Sequence, residues 1–111
     1  MKPKIMKLLD IPSKAVGGHD GFSARSLINL PDKEMTVRLI KGSAKSIGPV
    51  PPHNHPATHF FIVLEGRLEL EIDGTTHIVP KGFCAEIPPN SVHQLRCAGK
   101  GSMTFLAIKW E

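Results

Sequence analysis

The apolar positions of this chain follow the two-residue period of β-strands. Residues 67–72, RLELEI, alternate between aliphatic and charged side chains, which is typical of a strand with one buried face. Residues 59–66, HFFIVLEG, are instead apolar on both faces. A strand of that kind needs cover on both sides, which predicts that the core covers one face and a second subunit the other.

Turn signals separate the apolar runs at short intervals. Asp73-Gly74 lies between two strand-like segments, a strong signal for a two-residue hairpin. Ten glycines and ten prolines punctuate the rest of the chain. The pattern gives roughly eight to ten short strands. It predicts an all-β sandwich or barrel in one domain of 111 residues. A helix is compatible with the pattern only within residues 1–30.

Composition and charge exclude several classes of partner. The lysines and arginines behind the net charge of +4 are scattered, without a basic patch interleaved with aromatics. This argues against a nucleic-acid partner and permits a preference for anionic small molecules. Neither a signal peptide nor an apolar run of membrane-spanning length is present, so we expect a cytoplasmic protein without a membrane partner. Cys84 and Cys97 form no CxxC pair and no disulfide framework.

Histidines are concentrated just before the two-faced apolar strand. His53, His55 and His59 would share one face if this segment stays extended, because side chains alternate across a strand. If the later segment that carries His93 is a neighbouring strand, four neutral imidazoles converge on one point. Imidazole is a suitable ligand for Fe, Ni, Cu and Zn, because it offers a lone pair and is neutral above roughly pH 6.5.

Two segments of the sequence resemble the two conserved motifs of the cupins. Residues 48–66 are similar to the first motif, with its two glycines and its His-x-His pair, and residues 82–97 to the second, with its Pro-x-Gly turn and its histidine. Three positions depart from the family pattern. His59 stands where the family usually has glutamate, Asn90 where it has glycine, and Cys97 where it has asparagine.

The resemblance implies a single cupin-type jelly-roll β-barrel over residues 1–111, commonly paired as a homodimer. Residues 1–30 would supply N-terminal strands available for dimer contacts. The barrel would bind one divalent transition metal per chain, Fe, Mn, Ni, Cu or Zn. The ligand set would contain four histidines and no carboxylate, as in a recognised subset of the family: His53, His55, His59 and His93.

A small-molecule ligand, anionic in view of the charge balance, would bind beside the metal. Arg38 is a candidate for binding an anion by paired hydrogen bonds, although a solvated surface arginine has the same signal. The other candidates, which core packing explains equally well, are Ala57, Phe61, Cys97 and Phe105. His19 and His77 have no partner at ligand spacing and are interpreted as ordinary polar residues.

Two functions from different classes are consistent with this pattern. The first is a metalloenzyme acting on a small oxygen-rich molecule, with dioxygenase-type oxidative chemistry as the leading reaction. The second is a non-catalytic cupin module that binds or senses a metal or a small ligand. Catalytic residues are not assigned by the sequence. A proton donor within reach of the metal would favour the enzyme.

Overall fold

Strands account for nearly all of the regular structure in the computed structural model, which describes residues 1–111. Two short 3-10 helices, Leu8–Asp10 and Pro31–Lys33, are the only helical segments. The strands are β1 Ser13–Ala15, β2 Asp20–Leu30, β3 Met35–His53, β4 Thr58–Glu65, β5 Arg67–Ile72, β6 Thr75–Pro80, β7 Cys84–Ile87, β8 His93–Cys97 and β9 Met103–Trp110. No helix has the length and the apolar composition that crossing a membrane would require.

The strands form one antiparallel sheet that curls into a nearly closed barrel, as the sequence predicted. Its main path runs β6-β5-β8-β3-β9-β4-β7. The first half of β3 also pairs with β2, on the edge opposite β9, and β1 pairs with β2. The predicted hairpin at Asp73-Gly74 joins β5 to β6, and both residues have positive φ, at 48° and 85°. A turn with both central residues in this region matches the right-handed twist of the flanking strands.

Twelve buried apolar residues fill the inside of the barrel. Phe61 of β4 and Phe105 of β9 meet edge to face with their ring centroids 5.2 Å apart, a favoured aromatic geometry. Leu68 and Leu70 of β5 are also fully buried, as the alternating RLELEI pattern predicts. The burial of these side chains provides the main driving force for closing the sheet.

The register of β3, β9 and β4 stacks their inward-facing side chains in three layers. From the core outward, the layers are Ile40, Phe105 and Val63, then Arg38, Ala107 and Phe61, then Thr36, Lys109 and His59. The wall of the barrel therefore changes from apolar to polar within four residues of each strand. This change places the polar chemistry at one end of the barrel.

The outer side of the same three strands is also apolar. Its residues are half-buried within a single chain: Val37, Leu39, Phe60, Ile62, Leu106 and Ile108. The two-faced character of residues 59–66 therefore has a structural basis, because the core covers one face of β4 and only neighbouring side chains partly cover the other.

Candidate metal centre

Three histidines converge at the polar end of the barrel. His59 lies in β4, His93 begins β8, and His55 lies in the connection between β3 and β4. Their ring centroids are 5.4 Å apart for His55 and His59, 5.2 Å for His55 and His93, and 5.1 Å for His59 and His93. One ring nitrogen of each lies within 4.8 Å of the others, a spacing suited to a shared metal ion.

The ring of His93 is oriented by its own turn. Its Nδ1 lies 3.0 Å from the carbonyl oxygen of Ser91. A carbonyl only accepts, so Nδ1 carries the proton and donates it, which leaves the lone pair on Nε2. A hydrogen bond of this kind is the usual device that fixes the tautomer of a metal-binding histidine. His93 is 5% exposed, so the orientation is held by packing as well.

The Nε2 atom of His59 is buried and has no hydrogen-bond partner in the protein. Burial, followed by the positive potentials of His93, His55, Lys109 and Arg38, lowers the pKa of His59 to about 4. The ring is therefore neutral at physiological pH. A buried nitrogen without a partner is costly, and a bound metal ion would satisfy it. The donor set thus fits a divalent transition metal.

A cavity of about 180 Å³ adjoins the three histidines. Its apolar wall includes Phe22, Ile40, Phe61, Leu95 and Phe105. Its polar wall consists of the three histidines together with His19, Thr36, Arg38 and Lys109. An apolar cavity with a few convergent polar groups is the usual form of a small-molecule site.

Comparison with known protein families decides which family this barrel represents. Residues 38–109 match the family described as Cupin domain, Cupin_2. The protein is a cupin. No curated protein matches the sequence significantly.

Solved structures extend this similarity beyond the matched segment. The polyketide cyclase RemF from Streptomyces resistomycificus is 25% identical, with a TM-score of 0.84 over 98% of this chain and 80% of that chain. A cupin 2 conserved barrel domain protein from Salinispora arenicola is 19% identical, with a TM-score of 0.81 over 100% of this chain and 91% of that one. KdgF from Halomonas sp. is 14% identical, with a TM-score of 0.78 over 99% and 96%.

The two motif segments of this cupin are physically joined at the site. Asn90, which replaces a glycine of the family pattern, has a φ of 66°, in the left-handed region that asparagine tolerates better than most residues. Its backbone N–H donates to the carbonyl oxygen of His55 at 2.6 Å. The turn of the second motif therefore holds the connection that carries a histidine of the first.

The predicted set of four histidines is not confirmed, because the structure gathers three. His53 is exposed and lies outside the group, with its ring centroid 6.0 Å from that of His55. The sequence argument assumed one extended strand from residue 53 to 59. The strand ends at His53, residues 54–57 form a connection that contains Pro56, and alternation does not apply across it.

The predicted ligand-binding residues divide into two groups. Arg38, Phe61 and Phe105 line the cavity, whereas Ala57 and Cys97 do not. Ala57 is buried within the connection to β4. Cys97 lies on the same face of β8 as His93 and Leu95 but beyond the cavity, where it packs against the core and its thiol donates to the carbonyl oxygen of Gly101.

His19 lines the cavity and is more than the ordinary polar residue expected from its lack of a partner at ligand spacing. Its Nδ1 donates to the carbonyl oxygen of Gly17 at 2.7 Å, and its ring lies 5.5 Å from that of Phe22. Gly48 makes the position available, since a Cβ there would lie 2.5 Å from the His19 ring. Burial, as the main cause, lowers the pKa of His19. Gly48, the first glycine of the first motif, is thus the one sequence feature connected with the position of His19.

Proposed function

We propose that this cupin is a metal-dependent enzyme that acts on a small oxygen-rich molecule held in the cavity. The observation that carries the proposal is the meeting of three imidazoles, one with a buried and unpartnered Nε2, at the polar end of the cavity. A closed structural site would not need an adjoining cavity, whereas a catalytic site requires one.

The metal would be held by His55, His59 and His93, and it is Fe, Mn, Ni, Cu or Zn. His53 is the candidate for a fourth ligand, because it lies beside His93 in the sheet and its exposed ring is free to change rotamer. A metal in such a site supplies Lewis acidity or redox chemistry to a bound substrate. Dioxygenase-type oxidation is the reaction we favour, since an all-nitrogen ligand set suits redox-active metals.

Within this proposal, His19 moves the proton. Because Nδ1 is engaged with Gly17, Nε2 is the ring nitrogen with the free lone pair, and it forms no hydrogen bond with the protein. His19 lines the same cavity as the three histidines. An imidazole in that position can accept a proton from a bound substrate and return it to the product. Its presence favours an enzyme over a module that only binds.

A metal-assisted cyclisation is the second candidate reaction. It is favoured by the 25% identity with the polyketide cyclase RemF over 98% of this chain. Cyclisation also requires removal of a proton next to a carbonyl, a step for which His19 would serve equally well. The two reactions differ in their use of dioxygen, and that difference provides the test.

We expect oxygen uptake when the protein, loaded with the metal found by elemental analysis, meets a panel of small phenols, diketones and oxo acids. His19→Gln should lower kcat by about 100-fold while leaving metal content unchanged, because His19 transfers a proton and is not a ligand. Turnover without oxygen uptake would select the cyclase. Binding without any turnover would leave the non-catalytic module.

We also propose that the protein is a homodimer, formed through the outer apolar side of β3, β4 and β9. Each of those strands contributes two half-buried apolar residues, and a second copy would complete their burial. Ile108→Glu should shift the protein to monomers in sedimentation velocity, because it places a charge at the centre of that surface. A monomeric wild-type protein at all accessible concentrations would rule the dimer out.

A further inference from the structure

The cavity carries positive charge with no opposite charge from the protein. Arg38 and Lys109 both line it, and no aspartate or glutamate does. The ion pairs of the chain use other cations, Lys81 and Arg96. The arginines that donate hydrogen bonds to protein groups are Arg25 and Arg96. The guanidinium of Arg38 is therefore half-buried without a protein partner.

The sheet register places both cations on the wall that carries His59. Lys109 of β9 lies directly opposite His59 of β4. Arg38 of β3 lies one layer deeper, opposite Ala107, whose small side chain leaves space for the guanidinium. Burial lowers the pKa of Arg38, yet a guanidinium stays charged in proteins. A partly desolvated charge without a partner is costly, and an anionic ligand would offset that cost.

The apolar part of the cavity sets the shape and the size of the ligand. The edge-to-face pair of Phe61 and Phe105, with Ile40 beside it, forms a surface for an apolar group next to Arg38. A dry cavity of about 150 Å³ lined by Leu, Ile and Phe accepts benzene. The volume of about 180 Å³ found here therefore suits one ring and a carboxylate.

We propose that the cavity binds a small organic carboxylate, with the anion on Arg38 and Lys109 and an apolar group the size of one ring on Phe61 and Phe105. This proposal deepens the proposed function by naming its substrate class. Neither Arg38 nor Lys109 is one of the proposed metal ligands, so carboxylate binding is measurable in protein stripped of metal. The two proposals can therefore fail separately.

The test measures the binding of benzoate to the metal-free protein by isothermal titration calorimetry. We expect saturable binding of benzoate and at least about 10-fold weaker binding of benzamide, the neutral analogue of similar shape. Arg38→Gln should weaken benzoate binding by about 10-fold or more, and Lys109→Gln by less, because lysine offers a point charge rather than a paired donor. Melting curves followed by circular dichroism check that each variant is folded.

Lys41→Gln is the matched control. Lys41 lies on β3 like Arg38 but is exposed on the outer side, and its replacement changes the net charge by the same amount. Benzoate affinity in this variant should equal that of the wild type. An equal loss in Lys41→Gln, equal affinity for benzamide, absence of saturable binding, or inorganic phosphate binding as tightly as benzoate would each overturn the proposal. If benzoate binds as expected and the protein takes up no metal, the proposed function alone fails.

Discussion

His59→Ala should abolish tight metal binding, lowering affinity by more than about 100-fold. Loss of a residue that merely orients a ligand typically costs 10–100-fold in affinity, and His59 is expected to be a ligand itself. Its buried Nε2 has no hydrogen-bond partner in the protein, so its loss removes a nitrogen that is available to a metal ion. Titration of the metal-free protein with Zn²⁺ or Ni²⁺ in competition with a chromophoric chelator measures the change.

Two other histidines provide the comparison. His77 is exposed on β6, remote from the group, and His77→Ala should leave metal affinity unchanged. His53→Ala should fall between the two, since His53 is adjacent to the site but outside the three-histidine group. Equal losses in His59→Ala and His77→Ala would show that the assigned ligands are wrong.

The metal-free protein should lose stability as the pH falls from 6.5 towards 4, and His59 should account for much of the loss. The pKa of His59 is lowered from 6.5 to about 4 in the folded protein. Between these values the unfolded chain binds the proton and the folded protein does not, so acid favours unfolding. The full stability is present above pH 6.5. By about pH 5 the loss amounts to about 2 kcal/mol.

His59→Leu isolates this contribution, because leucine is similar in size and does not titrate. Urea unfolding of the metal-free proteins near pH 7.5 and about pH 5 should show the wild type losing about 2 kcal/mol more than the variant. The pKa of His55 is also lowered, by burial first and then by its charged neighbours, but this effect remains in both proteins. Equal losses would mean that His59 is protonated at little cost in the folded state.

The barrel was predictable because its sequence signals are local. Alternation in RLELEI and the Asp73-Gly74 turn fix one hairpin through interactions between near neighbours, and the structure reproduces it. The spacing of the two motifs identified His55, His59 and His93 for the same reason. Each side chain is positioned by its own strand or turn, and the fold brings these segments together.

The remainder of the site depends on contacts that local patterns do not encode. His53 was expected to join the group, yet β3 ends at this residue and its exposed ring lies outside the group, although His53 is paired with His93 in the sheet. His19, in the connection between β1 and β2, reaches the cavity only because Gly48 of β3 has no side chain in its path. Lys109 faces the cavity through its register with His59, which is set by the pairing of β4 with β9.

The stacked layers of β3, β9 and β4 separate two tasks along the length of the barrel. Replacement of Val63 or Phe105 would leave a void in a tightly packed interior, at a cost of roughly 2–5 kcal/mol. Thr36, Arg38 and Lys109 lie above that interior and are open to exchange at far smaller cost. Ligand preference in this scaffold can thus be redesigned by replacing Thr36, Arg38 and Lys109, while the packed interior below them stays unchanged and keeps the chain folded.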